Sequence, residues 1–132
     1  RLQATRLRVR VRLAARRLEL LRAGQVVGAW RVAIGRPGTP TPTGRFAIED
    51  LVPSTPGRRA AYGRYVLTLT AFSPTLTDFD GGQGQSAIHG AADADARIGH
   101  EASFGCVVVG DATLQALYRR LRPGTPVDIS AT

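Results

Sequence analysis

From residue 6 to residue 13 the chain alternates without a break, Leu7, Val9, Val11 and Leu13 against Arg6, Arg8, Arg10 and Arg12. A period of two describes a β-strand with one face on a core and the other in water. The arginines are therefore expected to point outward. Leu18 to Leu21 and Val26 to Ile34 flank Arg22-Ala23-Gly24-Gln25, whose glycine suits a tight connection, so a β-hairpin is expected here with Trp30 in the core.

Gly35 to Gly44 carries three prolines and three glycines, too many for any regular element, and reads as a fixed, extended loop. Arg45 to Glu49 and Tyr65 to Ala71 read as further strands, separated by a polar loop containing Pro53, Pro56 and Gly57, and Phe72 to Gln85 reads as irregular. Asp111 is expected to cap one helix, in which Leu114, Leu117, Tyr118 and Leu121 recur at helical spacing until Pro123 and Gly124 end it. Val127 to Ile129 reads as a short closing strand. Many strands, one helix near the C-terminus and no alternating β-α pattern predict a mainly-β fold, a sandwich or barrel. With no internal repeat and no boundary signal, residues 1–132 are expected to form a single domain, and 43% hydrophobic content is enough for one core.

All 18 basic residues are arginine against 10 acidic ones, a formal charge of +8. Such a surplus could steer a protein to nucleic acid, an anionic membrane or an acidic polymer, or could simply clothe solvated strand faces. No aromatic-interleaved basic motif accompanies the charge, so nucleic acid is not expected as a partner. The apolar runs fall far short of the ~20 residues of a membrane span, and no hydrophobic signal segment precedes Arg1, as expected of a soluble domain or processed fragment. A single cysteine rules out an intramolecular disulfide and leaves the redox compartment open.

That cysteine carries the chemistry. Cys106 follows Ser103-Phe104-Gly105, and Ile88-His89-Gly90 stands upstream, with Cys106 seventeen residues beyond His89. A thiol needs a base to become a nucleophile, and a strand, a loop and a second strand could bring His89 to it. His89 would take the thiol proton, Cys106 would attack a carbonyl to give a thioester, and the amides of Gly105 and Cys106 would cradle the oxyanion. The Gly90 carbonyl could hold the other imidazole nitrogen. Alternatives stand beside this reading. Cys106 could be a small buried hydrophobe among valines. A metal held by Cys106, His89 and His100 would have spacings that match no common zinc pattern. Asp78, Asp80, Asp93 and Asp95 lack the spacing of a calcium loop and read as turn residues.

The Gly35 to Gly44 loop, Ile88-His89-Gly90, Ser103-Phe104-Gly105-Cys106 and Gly124-Thr125-Pro126-Val127 occur in an order that resembles the catalytic domain of L,D-transpeptidases (YkuD-like), over nearly the whole chain. The resemblance implies a mainly-β fold and a bacterial, extracytoplasmic enzyme that crosslinks peptidoglycan. It implies attack by Cys106 on a tetrapeptide stem, release of the terminal D-alanine, and transfer of the acyl group to an amine to form an L,D crosslink. His89 would be the base and Gly90 its orienting carbonyl, with Gly105, Ser103 and Phe104 at the oxyanion and substrate site. No metal or organic cofactor is implied. Peptidoglycan stem peptides are the implied partners, and carbapenem-type β-lactams are expected to form an adduct at Cys106. Two positions depart from the family pattern: Phe104 stands where histidine is usual and Val108 where arginine or asparagine is usual. They motivate two alternatives, a catalytically degenerate domain that binds cell wall, and an L,D-carboxypeptidase that uses water as acceptor.

Overall fold

The computed structural model describes residues 7–72, 85–103 and 105–132. The arginine-alternating segment is β1 (Leu7–Arg12), with Val9 and Val11 buried and Arg8 and Arg12 exposed. It pairs antiparallel with β2 (Arg17–Arg22), which pairs with β3 (Gln25–Arg31). The β2–β3 turn takes left-handed backbone at both Ala23 (φ 51°) and Gly24 (φ 83°), the conformation that matches the twist of a two-residue hairpin. Trp30 is half-buried and packs against the core from β3. Glu19 of β2 lies buried on the arginine face, bonded by Arg10 Nε and Arg17 Nε at 2.7 and 2.8 Å. A buried carboxylate requires such partners.

β4 (Ile34–Gly35), β5 (Gly44–Pro53), β6 (Tyr65–Phe72), β7 (Gln85–His89), β8 (Glu101–Ser103), β9 (Val107–Val108) and β10 (Pro126–Ser130) complete the strands. The proline-rich loop is thus shorter at each end than the sequence suggests: Gly35 belongs to β4 and Gly44 opens β5. Residues 73–84, which carry Asp78, Asp80 and most of the segment read as irregular, lie outside the described residues. Eight strands form one sheet in the order β3-β2-β1-β10-β5-β6-β7-β9, and β4 pairs with β8 in a small second sheet. The mainly-β expectation holds, as a curled half-barrel. β10 does not close an edge. It lies in the middle, parallel to β1 and antiparallel to β5, with Val127 and Ile129 on the core. The curl brings the sheet's two ends together, because Ala33, just beyond β3, exchanges both backbone hydrogen bonds with Val108 of β9 at 2.9 Å.

α1 (Arg59–Tyr62) follows a 3₁₀ turn at Pro56–Arg58, and α2 (Ala94–Arg97) follows β7; neither was expected from a one-helix reading, because a single turn is too short for hydrophobic periodicity to register. The long helix is α3 (Asp111–Arg120), with Leu114 and Leu117 fully buried against the sheet. Its N-cap is Gly110 rather than Asp111. The Asp111 carboxylate instead accepts from Arg64 Nε at 2.9 Å and from Gln115 at 2.9 Å. Tyr118 of α3 stacks on Tyr65 of β6, ring centres 3.7 Å apart, which fixes the helix over the strands that carry the site.

Candidate active site

β7 and β9 run side by side in parallel, Ile88 next to Val107 and His89 next to Val108. Cys106 immediately precedes β9, so the sixteen residues between it and His89 are a crossover through α2 and β8 that returns the chain beside its starting point. Side chains alternate along a strand, which sends Gln85, Ala87 and His89 to one face of β7. Together with Val66 and Thr68 of β6 they form the floor of a cleft of about 350 Å³, walled by Ser54, Arg58 and Tyr62. His89 and Cys106 both line this cleft, each only 4% exposed.

The imidazole is held on two sides. His89 Nδ1 lies 2.6 Å from the Gly90 carbonyl oxygen. A carbonyl can only accept, so Nδ1 carries the hydrogen and the lone pair sits on Nε2. The Tyr62 ring meets the imidazole edge to face at 5.1 Å. Behind them the backbones of two glycines touch. Gly63 has φ +73°, and a Cβ on it would stand 2.8 Å from Gly90 Cα. The Gly90 N–H donates to the Tyr62 carbonyl at 2.8 Å, so α1 and the histidine turn are locked together. Tyr62 and Gly63 were not picked out from the sequence; their one local signal is a tyrosine-glycine pair at the end of a proline-rich loop.

The cysteine loop is held from within and from outside. Ser103 Oγ–H donates to the Cys106 carbonyl at 2.6 Å and accepts from the Gly105 N–H at 3.2 Å, with Gly105 at φ 114°. The Gly105 amide, expected at the oxyanion, is therefore given to Ser103. From outside, the Ser103 carbonyl accepts from the Arg36 N–H at 3.1 Å and from Thr39 Oγ1 at 3.2 Å. Thr41 Oγ1 in turn accepts from the Gly35 N–H at 2.9 Å. The proline-threonine-glycine loop is thus a clamp on the residue that shapes the cysteine turn. Phe104 lies outside the described residues. Val108 is fully buried in a small cluster with Ala33 and Ala94, against which Ala91 packs, so no polar side chain enters the site from that position.

Burial sets the proton inventory. It pushes the Cys106 thiol up to about 11, although a hydrogen bond with the Ala87 backbone and the Arg97 charge both pull it down. Burial also holds His89 down to about 4, with Arg97 adding to the depression and the Gly90 hydrogen bond opposing it. The resting pair is neutral thiol and neutral imidazole, not a preformed thiolate. Arg97, which acts on both groups, carries no motif that would single it out in the sequence. His100 is exposed and stands apart from the pair, and among the described residues no three of His, Cys, Asp and Glu gather in a metal-binding group. Asp93 and Asp95 sit at the start of α2, Asp93 as its N-cap.

No curated protein sequence matches the chain. Among solved structures, the Bdellovibrio bacteriovorus protein Bd1075 superposes with a TM-score of 0.73 at 21% identity, over 96% of this chain and 48% of that one. An L,D-transpeptidase from Mycobacterium tuberculosis gives 0.74 at 17%, over 95% and 57%. L,D-transpeptidase 3 of the same organism, solved with a faropenem-derived adduct, gives 0.75 at 16%, over 95% and 60%. The chain thus spans about half to three fifths of the length of these relatives, and at such identities the likeness is one of fold. The sequence model of the L,D-transpeptidase catalytic domain matches residues 6–129, a span that holds the clamp loop, the histidine turn and the cysteine turn alike. The chain belongs to the L,D-transpeptidase catalytic domain (YkuD) family.

Proposed function

We propose that this domain is a cysteine acyltransferase of the bacterial cell wall. It takes the acyl group of a peptidoglycan tetrapeptide stem onto Cys106, releases the terminal D-alanine, and passes the acyl group to an amine to form an L,D crosslink. The observation that carries the reading is the cleft shared by Cys106 and His89, in which the Gly90 carbonyl fixes the tautomer that leaves Nε2 able to accept a proton.

As the C–S bond forms, the thiol proton passes to His89 Nε2 and the carbonyl π-electrons move to oxygen, where the Cys106 N–H is the donor we assign. An imidazolium held at such a low pKa is a strong acid, so it returns the proton to the departing amine as the C–N bond breaks. That leaves a thioester, free D-alanine and neutral His89. The acceptor amine then attacks, gives its proton to His89, and the thiol is restored. This role places the domain outside the cytoplasm, where the polymer is. A carbapenem would be opened by the same attack and remain on Cys106.

Intact-protein mass spectrometry of the wild type and Cys106→Ala, incubated with a disaccharide-tetrapeptide with and without amine acceptor, tests the reading. The expected result is an acyl-enzyme on the wild type alone, resolving to crosslinked product when acceptor is added. Tripeptide as the sole product would make the domain a carboxypeptidase. Neither adduct nor free D-alanine, from folded protein with a titratable thiol, would overturn the enzymatic reading in favour of a wall-binding one.

A further inference from the structure

The cleft holds the nucleophile and its base, yet burial opposes every charge they must carry. One cation acts on both. Arg97 ends α2, three residues after Ala94, and residues at that spacing share a helix face. Ala94 is buried against Val108 and Ala33, so this face of α2 lies on the strand that follows the cysteine. The guanidinium is fixed there by two contacts: Nε donates to the Ala102 carbonyl at 3.0 Å and Nη1 meets the Asp93 carboxylate at 3.3 Å. Ala102 directly precedes Ser103, whose hydroxyl bonds the Cys106 carbonyl at 2.6 Å. The side chain is only 22% exposed, so solvent screens its field less than that of the surface arginines.

We propose that Arg97 is the positioning residue of this site, a cation delivered by α2 beside β8 and β9 whose field stabilises the developing thiolate of Cys106. It touches neither substrate nor sulfur. The same positive charge lowers the proton affinity of both partners, so it favours ionised sulfur while keeping His89 from resting in the protonated form. Val108 supplies no polar group from β9, and α2 provides the charge in its place. The other ionisable groups lining the cleft are His89 on β7 and, from the opposite wall, Arg58 and Tyr62. Asp93, 68% exposed, is the counter-charge that partly offsets Arg97.

The proposal rests on Cys106 being the nucleophile of the reading above, but its test needs no stem peptide. The rate of Cys106 alkylation by iodoacetamide is followed from pH 6 to 11.5 in wild type, Arg97→Gln, Arg97→Lys and Asp93→Asn, with folding checked by circular dichroism. Arg97→Gln should move the midpoint up by about half to one pH unit and so slow alkylation about threefold to tenfold at fixed pH below it. Arg97→Lys keeps the charge and should restore the wild-type profile. Asp93→Asn removes the opposing charge and should speed alkylation, the opposite sign. A purely structural role would give no such reversal. An Arg97→Gln profile that superimposes on wild type, or Arg97→Lys as slow as Arg97→Gln, would overturn the proposal. Should Arg97→Gln fail to fold, an Asp93→Asn profile that does not shift would overturn it, and a faster one would sustain it. If these shifts occur while no acyl-enzyme forms on a tetrapeptide, the crosslinking function fails and the role of Arg97 stands.

Discussion

Replacing Ser103 with alanine removes the internal tie of the cysteine turn and nothing else of comparable size. Ser103 is 1% exposed, and its hydroxyl both donates to the Cys106 carbonyl at 2.6 Å and accepts from the Gly105 N–H at 3.2 Å. The two outer bonds, from Arg36 N–H and Thr39 Oγ1, go to the Ser103 backbone carbonyl and survive the substitution. Two buried backbone groups lose their partner at once, each worth about 1–3 kcal/mol when left unsatisfied. The expected loss is about 2–6 kcal/mol, which for a domain of this size lowers the melting temperature by roughly 10 °C or more. Thr39→Val gives the comparison: it removes one bond to an oxygen that keeps a second donor, and should cost less than about 1 kcal/mol. Thermal and urea unfolding of both variants supply the stabilities, and Cys106 alkylation rates report the turn's geometry. A Ser103→Ala variant within about 2 °C of wild type and equally reactive would refute the claim that this hydroxyl holds the cysteine turn.

Gly63→Ala should cost about 2–4 kcal/mol, since it forces a Cβ into left-handed backbone and against Gly90 Cα at 2.8 Å, and should slow acylation by displacing the carbonyl that orients His89; a stable variant with wild-type acylation contradicts that coupling. Stability should fall as pH drops from about 6.5 towards 4, because the unfolded chain protonates His89 while the fold holds it at about 4; the loss attributable to it is about 3 kcal/mol, and a His89→Gln variant whose stability falls just as steeply over that window would dismiss the assignment. Glu19→Gln, by weakening the bonds to Arg10 and Arg17 on the buried part of the arginine face, should destabilise by about 1–3 kcal/mol in urea unfolding, and an unchanged midpoint would show the pairing to be without weight.

The alternation at residues 7–12 and the glycine at 24 were enough to place β1 and the β2–β3 hairpin, because face selection and turn backbone are local properties. The requirements of the proposed chemistry are local in the same way. A thiol nucleophile needs a base and an imidazole base needs an orienting group, and both requirements follow from residue type before any distance is known. Partnership is different: nothing in Val127 to Ile129 says that this segment lies between β1 and β5, since many strands could cover an apolar face of that length and the choice is made by how the whole chain packs. Arg97 and Tyr62 escaped notice for the same reason, being brought to the site by single-turn helices too short to leave a period in the sequence. The neutral resting state of the pair is likewise tertiary, because charge is opposed by burial, and burial exists only once β6, β7, β9 and the turn at Gly63 have closed around the thiol and the imidazole.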